Sequence, residues 1–228
     1  MSLVYIISAP SGSGKSTLVN EVRKLIPNLD FSISYTTRPL RASEQNGREY
    51  FFVSVAEFEE MIRRDDFLEW AKVFGNYYGT AQRFLREAHE RGRDLVLDID
   101  VQGAAQIKKK IPEAVSIFIL PPDKKTLEWR LKNRSLDTQE VIQRRLLVAT
   151  KEIENYQNYD YILVNDRLEQ SIDELQAIVL SERLRRSGKV LSPAEDRVVA
   201  TAERCRLSNV RGRLQPILSS FALSATPS

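Results

Sequence analysis

Short apolar runs alternate with amphipathic segments along most of the chain. The run from Leu3 to Ile7 is rich in β-branched and aromatic residues, which is typical of a strand buried on both faces of a parallel sheet. In the segment 15–26 that follows, apolar residues recur at helical spacing. Strands at 95–99, 115–120 and 161–164 precede helices at 102–110, 123–133 and 170–186 in the same way. This alternation predicts an α/β fold, with a parallel sheet flanked by helices.

The alternation is interrupted between residues 31 and 74. Strand-like pieces at 31–36, 49–53 and 68–74 enclose one predicted helix, whose start carries a capping box of Ser54 and Glu57. We interpret this stretch as a small, mainly β insertion. Ligands of α/β sheets bind at the carboxyl ends of the strands, so an insertion at that rim is expected to carry substrate contacts.

The composition changes after Arg186 to serine, alanine, proline and arginine. The pattern predicts one short helix, which starts at Ser192, Pro193 and Glu195 and fades before Gly212. We interpret residues 187–228 as a flexible C-terminal appendage. A chain that ends at Arg186 is therefore expected to stay folded and active.

Composition and charge narrow the class of protein. The 228 residues are 42% hydrophobic and 29% charged, which is the profile of a folded chain with a full core. The net charge of +3 arises from the segment 187–228. A neutral body argues against a nucleic-acid partner. One histidine and the lone Cys205 provide neither an internal disulfide nor a four-ligand zinc site.

No apolar run approaches the length of a membrane helix, and the N-terminal run is too short for a secretion signal. We therefore expect a cytoplasmic protein without a membrane partner. The sequence leaves the oligomeric state open, and a homo-oligomer is one possibility.

A phosphate-binding loop joins the first predicted strand to the first predicted helix. Its glycines allow backbone N–H groups to converge on a polyphosphate, Lys15 reaches the β- and γ-phosphates, and Ser16 faces Mg²⁺. Ala9 stands where the strict pattern has glycine, a small change if the backbone there needs no positive φ. An ordinary glycine- and serine-rich turn is the alternative. The residues predicted to bind ATP here are Ala9, Pro10, Ser11, Gly12, Ser13, Gly14, Lys15, Ser16 and Thr17.

The insertion supplies candidates for binding the acceptor substrate. Residues 34–41 contain hydroxyl groups and two guanidinium groups, and residues 47–50 add a phenol. Arginine forks match phosphate oxygens two at a time, and hydroxyl groups can complete the shell. From spacing alone, a solvated basic hairpin remains the alternative.

Five separated motifs then resemble the guanylate kinase family, in the right order and over residues 3 to about 186. They are Ser34 to Arg41, Gly47 to Tyr50, Glu69, Gly75 to Thr80, and Asp98 to Gly103. The resemblance implies an ATP:GMP phosphotransferase with a P-loop core, an inserted GMP-binding domain and a helical lid. The implied domains are the core at 1–33, 82–122 and 160–186, the GMP-binding insertion at 34–81, and the lid with its return helix at 123–159.

The resemblance also implies roles for residues of the insertion. The GMP phosphate would be held by Ser34, Arg38, Arg41, Tyr50 and Tyr78. The base would be held by Glu69, Thr80 and one of the two acids Asp98 and Asp100. Guanine presents two N–H donors beside an acceptor oxygen, so a carboxylate and a hydroxyl can match it, whereas adenine N1 would leave a carboxylate unpaired.

We assign Asp98 to Mg²⁺ and Asp100 to the guanine edge, because both follow a strand at its carboxyl end and their spacing of two would give them one face if the strand persists. Two rivals remain. A catalytically weak, guanylate-kinase-like binding module would not need the complete set of phosphate-binding residues. A kinase for another nucleoside monophosphate should lack the Glu69 and Thr80 pairing.

Under the same resemblance, Arg134 and Arg145 are lid arginines that reach the transferring phosphoryl group, and Arg130 supports ATP. The predicted catalytic set is Lys15, Arg41, Arg134 and Arg145. Family members often have glycine where this chain has Asn133 and Ser135, which bears on the lid hinge. No general base is required, because a phosphate oxygen is already ionised at neutral pH.

Overall fold

The computed structural model describes residues 2–41, 44–73, 75–134 and 138–223, with the side chain of Arg134 outside this set. The described chain forms two compact units, Met1–Ile7 with Asn28–Val115, and Ser8–Pro27 with Ser116–Ser228. The strands and helices, in chain order, are β1 (Val4–Ser8), α1 (Lys15–Leu25), β2 (Leu29–Phe31), β3 (Tyr35–Thr36), β4 (Phe51–Phe52), α2 (Val55–Arg63), β5 (Phe67–Val73), β6 (Asn76–Ala81), α3 (Gln82–Glu90), β7 (Asp94–Asp98), α4 (Val101–Lys110), β8 (Val115–Leu120), α5 (Lys124–Arg134), α6 (Gln139–Ile153), β9 (Tyr161–Val164), α7 (Leu168–Ser187), α8 (Pro193–Glu203) and α9 (Leu207–Ser220).

Parallel strands form the centre of the first unit, in the order β2-β7-β1. Tyr5 lies opposite Val96, and Ile6 lies opposite Leu97. Tyr5, Ile6 and Leu97 have no exposed surface. Burial of this kind accounts for the continuous apolar run that opens the chain, and it confirms the predicted parallel strands.

The first unit also contains a four-stranded sheet, in the order β4-β3-β6-β5. Strand β6 pairs antiparallel with both of its neighbours, while β3 and β4 are parallel. Aromatic stacking fills the space beside this sheet, since the ring centroids of Phe58 and Phe67 lie 4.4 Å apart and those of Tyr35 and Phe51 lie 4.9 Å apart. Ser54 and Glu57 form the predicted capping box at the start of α2.

Several predicted strands of this region differ from the structure. The run 31–36 is divided between β2 and β3, which belong to different sheets. Strand β6 was not predicted. Its sequence, Asn-Tyr-Tyr-Gly-Thr-Ala, does not alternate between apolar and polar residues. Pairing with β5 along its whole length stabilises it. Phe74, the predicted end of one strand, lies outside the described residues.

In the second unit, β8 and β9 are parallel neighbours, and Ile117 lies opposite Tyr161. All six residues of β8 are buried. Helix α1 packs on α7, and α5 packs on α6. A short 3₁₀ helix, Glu154–Asn158, connects α6 towards β9. These elements confirm the predicted strand and helix pairs at 115–133 and 161–186.

The C-terminal segment differs from the flexible appendage that the sequence predicts. After Gly188, which has a left-handed φ of 63°, the described part of the segment contains two helices, α8 and α9. Helix α9 continues through Gly212 and Pro216, although both residues have low helix propensity. Apolar residues at helical spacing explain it, because they bury one face: Val210, Leu214, Ile217, Leu218 and Phe221.

The loop between α8 and α9 covers the outer side of β9. The N–H of Ile162 donates to the carbonyl of Cys205 at 2.7 Å, and the N–H of Leu207 donates to the carbonyl of Asp160 at 3.0 Å. Arg206 lies opposite Tyr161 in an antiparallel bridge, and its guanidinium pairs with Glu182 of α7 at 2.9 Å. The segment therefore hydrogen-bonds an otherwise open strand edge, and the expectation that it is dispensable for folding stays to be tested. No helix among the described residues is long and apolar enough to cross a membrane.

Candidate active site

The phosphate-binding loop of the second unit turns sharply between β1 and α1. Gly12 and Gly14 have φ values of 93° and 88°, in the left-handed region that favours glycine. The backbone φ of Ala9 is not positive. The substitution of alanine for glycine at this position therefore introduces no backbone strain, and the loop pattern stands despite it.

Asn165, directly after β9, braces this loop and was missed by the sequence analysis. Its side-chain amide donates to the Ser13 carbonyl at 2.7 Å. A Cβ on Gly14 would lie only 2.3 Å from the same amide nitrogen, so Gly14 is required by space as well as by φ. Arg130 donates to the carbonyls of Ser13 at 3.4 Å and Asn165 at 3.0 Å. Burial lowers the pKa of the Arg130 guanidinium.

Three of the residues predicted to bind ATP, Lys15, Ser16 and Thr17, lie at the start of α1. The side chains of Ser16 and Thr17 are exposed and Lys15 is half-buried. Backbone N–H groups in the first turn of a helix have no partner within it, so this turn can bind an anion. The loop, Lys15 and the helix start together form a binding surface for a polyphosphate.

Arg145 of α6 also reaches the loop, where its guanidinium donates to the Ser11 hydroxyl at 2.5 Å. Arg134 is the last residue of α5, and its side chain and residues 135–137 lie outside the described residues. Asn133, a predicted hinge position, donates from its amide to the carbonyl of Trp129. The structure thus brings Arg130 and Arg145 to the phosphate-binding loop.

Four residues of the first unit form what we call the Arg38 cluster: Arg38, Glu44, Tyr50 and Tyr78. The Arg38 guanidinium lies 5.4 Å from the Tyr50 ring centroid, and the Tyr50 and Tyr78 rings are 5.9 Å apart. Glu44 forms an ion pair with Arg38 at 2.7 Å, which raises the pKa of Arg38 and lowers that of Glu44. Three of the predicted phosphate ligands are therefore neighbours. Arg41 is exposed, and its N–H donates to Glu44.

A second group, the Glu69 cluster, comprises Ser34, Glu69, Thr80 and Asp100. Glu69 is only 4% exposed and Thr80 is fully buried, and the two lie opposite each other in β5 and β6. The hydroxyls of Ser34 and Thr80 are 3.4 Å apart. The pKa of Glu69 is raised to about 7, mainly because the carboxyl group is buried. Hydrogen bonds from Thr80 act in the opposite direction and lower this pKa. Nearby Asp100 raises this pKa and Lys110 lowers it.

Asp98 and Asp100 do not share a strand face. Strand β7 ends at Asp98, and Asp100 is the N-cap of α4, where its carboxylate accepts the N–H of Gly103 at 2.8 Å. The condition for a common face, a strand that continues to Asp100, is not met, because β7 ends two residues earlier and the chain turns into α4. The separate environments do support separate roles for the two acids. Among the described residues, no group of three or more His, Cys, Asp or Glu side chains could hold a metal ion.

Comparison with known proteins gives consistent matches. The family model for guanylate kinase matches residues 1–182. A guanylate kinase of Koribacter versatilis (strain Ellin345) is 58% identical over 227 residues, covering 98% of this chain and 97% of that protein. A guanylate kinase of Escherichia coli (strain K12) is 50% identical over 186 residues, covering 81% of this chain and 90% of that protein. The crystal structure of guanylate kinase from Anaplasma phagocytophilum has a TM-score of 0.67 and 32% identity, covering 80% of this chain and 87% of that chain.

Proposed function

We infer that this chain, which belongs to the guanylate kinase family, transfers the γ-phosphoryl group of ATP to GMP and so forms ADP and GDP. The observation that carries the choice of acceptor is the burial of Glu69 opposite Thr80. A desolvated carboxylate beside a buried hydroxyl matches the donors and the acceptor oxygen of guanine. A base without those groups would leave buried polar atoms of the site unpaired. Such a base is rejected by a factor on the order of 10⁴.

The chemical step needs charge neutralisation and alignment rather than a protein base. A phosphate oxygen of GMP attacks the γ-phosphorus and forms a new P–O bond, while the bond to the β,γ-bridging oxygen breaks and ADP leaves. We assign Lys15, the loop N–H groups, Arg130 and Arg145 to the phosphates of ATP. Positive groups at fixed positions stabilise charge that develops in the transition state, without reorganisation.

On the acceptor side, we assign Ser34, Arg38, Arg41, Tyr50 and Tyr78 to the GMP phosphate. The grouping of Arg38, Tyr50 and Tyr78 supports this assignment. Asp100 is assigned with Glu69 and Thr80 to the base. Arg41 and Arg134 remain predicted catalytic arginines by resemblance to the family.

We propose Mg²⁺ as the cofactor that accompanies ATP. Ser16 and Asp98 provide oxygen donors, which a hard cation prefers. Water and substrate phosphates supply most of the other ligands of Mg²⁺ in sites of this kind. When bound, Mg²⁺ neutralises charge on the β- and γ-phosphates. Ser16 has an exposed hydroxyl in the first turn of α1, and Asp98 has a half-buried carboxylate at the end of β7; each is by itself a donor of the kind that Mg²⁺ prefers. A cytoplasmic location and the oligomeric state stay predictions.

The test is an assay of ADP formation with GMP, AMP and UMP as acceptors, at saturating ATP and Mg²⁺. We expect GMP to be preferred by at least about 10³-fold in kcat/KM. Glu69→Gln places an amide donor against a guanine donor, so its kcat/KM for GMP should fall by roughly tenfold to several hundredfold, and that for AMP much less. The half-buried Glu60 pairs with Arg63 and Arg64 of its own helix region, and Glu60→Gln is the matched control. Turnover without a GMP preference would favour another nucleotide kinase, and binding without any turnover would favour the binding-module alternative.

A further inference from the structure

One side of α4 faces the stretch of β5 that contains Glu69. Gly103, Gln106 and Lys110 are spaced by three and four residues, so they lie on the same side of the helix. We call these three residues the α4 face. Gly103 lies against Glu69, Gln106 contacts Trp70, and Lys110 contacts Leu68. The sequence analysis assigned none of the three as a ligand.

Gln106 holds the residue that follows Glu69. Its side-chain amide donates to the Trp70 carbonyl at 2.7 Å, and the Trp70 N–H donates to its side-chain oxygen at 3.3 Å. Strand β5 is the last strand of its sheet, so no strand of the described residues lies on this side of Trp70. The primary amide therefore pairs with the main chain of Trp70 as a strand would.

Lys110 holds the residue that precedes Glu69. Its ammonium group donates to the Leu68 carbonyl at 2.6 Å. The positive charge also lowers the pKa of the Glu69 carboxyl, in opposition to burial, and thus favours the ionised form that accepts hydrogen bonds from guanine. The main chain is consequently fixed by α4 on both sides of Glu69.

Gly103 leaves room for the carboxylate itself. A Cβ at this position would lie 2.4 Å from Oε2 of Glu69 and 2.9 Å from its Cδ. The helix backbone thus passes close to the carboxylate and limits where it can lie. Asp100 caps the same turn through the Gly103 N–H, which fixes the start of α4.

We propose that Gln106 and Lys110, with the space left by Gly103, are positioning residues that set the selectivity of Glu69 for guanine over adenine. This proposal rests on the proposed function, in which Glu69 reads the base. Hydrogen bonds to a base depend on the donor and acceptor positions within a few tenths of an ångström, and a misplacement of about 1 Å can cost on the order of 10² in rate. Residues that do not touch GMP therefore control which base is accepted.

The test compares Gln106→Leu and Lys110→Met with wild type, using kcat and KM for GMP and for AMP. We expect the KM for GMP to rise about tenfold, with kcat within about threefold, and the ratio of kcat/KM for GMP over AMP to fall about tenfold. Lys110→Arg keeps a charged donor and should restore the ratio to within about threefold of wild type. Lys109→Met removes the exposed charge next along the helix and is the matched control.

The melting temperature is measured for every variant, because a merely structural role would lower it without changing the ratio. Should Gln106→Leu not fold, Gln106→Glu keeps the volume and removes the donor to Trp70, and the same fall in the ratio is expected. An unchanged ratio in folded Gln106 and Lys110 variants would overturn the proposal. A wild type without a preference for GMP would instead overturn the proposed function, so the two failures are distinguishable.

Discussion

The carboxylate of Glu44 forms a two-point ion pair with the guanidinium of Arg38. Nη2 of Arg38 lies 2.7 Å from Oε1, and Nη1 lies 3.0 Å from Oε2, which also accepts the N–H of Arg41 at 2.9 Å. A carboxylate therefore occupies the arginine fork that is assigned to the GMP phosphate. It also ties the two arginines of the predicted phosphate site to one anchor.

Replacing Glu44 with glutamine should weaken GMP binding more than catalysis. The amide cannot accept both guanidinium bonds as a charged pair, so Arg38 loses its fixed orientation before the phosphate arrives. We expect the KM for GMP to rise about tenfold while kcat changes less than about threefold. Steady-state kinetics with GMP as the varied substrate measure both. A fall in KM would show that Glu44 acts as a competing anion rather than as an anchor.

The contact between Arg145 and Ser11 predicts a role on the ATP side. Arg145→Ala should lower kcat by about 10³-fold or more, since an arginine that stabilises the transferring phosphoryl group acts in the transition state. Arg38→Ala should instead raise the KM for GMP. Arg144 is exposed on the same helix, so Arg144→Ala is the control for lost charge. Arg145→Ala with normal kcat and a raised KM for GMP would place this arginine on the acceptor.

The raised pKa of Glu69 predicts a pH-dependent stability difference. Between the unfolded pKa of 4.5 and the folded pKa of about 7, the unfolded chain releases a proton that folded Glu69 keeps. The stability of the wild type therefore falls as pH rises through this window, and Glu69→Gln lacks this contribution. From pH 5 to pH 8, the free energy of unfolding of the variant should gain about 2 to 3 kcal/mol relative to wild type. Urea unfolding at the two pH values measures it, and parallel pH curves would show that Glu69 titrates normally.

The C-terminal helices predict that Leu214→Ala destabilises the protein without altering the site. Leu214 is 1% exposed, so truncation of its side chain should cost about 2 to 5 kcal/mol. Turnover well below the melting temperature should stay near that of wild type. Val190 is 97% exposed, and Val190→Ala should change stability by less than about 0.5 kcal/mol. Removal of all residues after Arg186 should leave the chain insoluble, and a soluble, active truncated chain would contradict the packing of α8 and α9.

Features set by neighbouring residues could be predicted from the sequence. The spacing of Gly14, Lys15 and Ser16 after an apolar strand identified the phosphate-binding loop, and the Ser54 and Glu57 capping box identified the start of α2. Both depend on backbone geometry within a few residues. The alternation of apolar runs with amphipathic segments was equally informative, because burial imposes one period on strands and another on helices.

Features that depend on distant contacts could not be predicted in this way. Asn165 is separated from the phosphate-binding loop by about 150 residues, and nothing beside it in sequence indicates the bond to Ser13. Gln106 reads as an ordinary polar residue on a helix until the fold brings it to Trp70. Helix α9 contains glycine and proline, and only the surface against which it packs makes the helix stable.

The bridge between Cys205, Arg206 and β9 has a consequence for the order in which the chain is made. Strand β9 leaves the ribosome about 40 residues before the loop that covers it, which at about 5 to 20 residues per second is a delay of several seconds. During that interval the nascent chain presents a strand with unpaired N–H and C=O groups, which can pair with another nascent chain. We therefore expect translation rate and chaperone access over these residues to affect the yield of native protein, independently of its final stability.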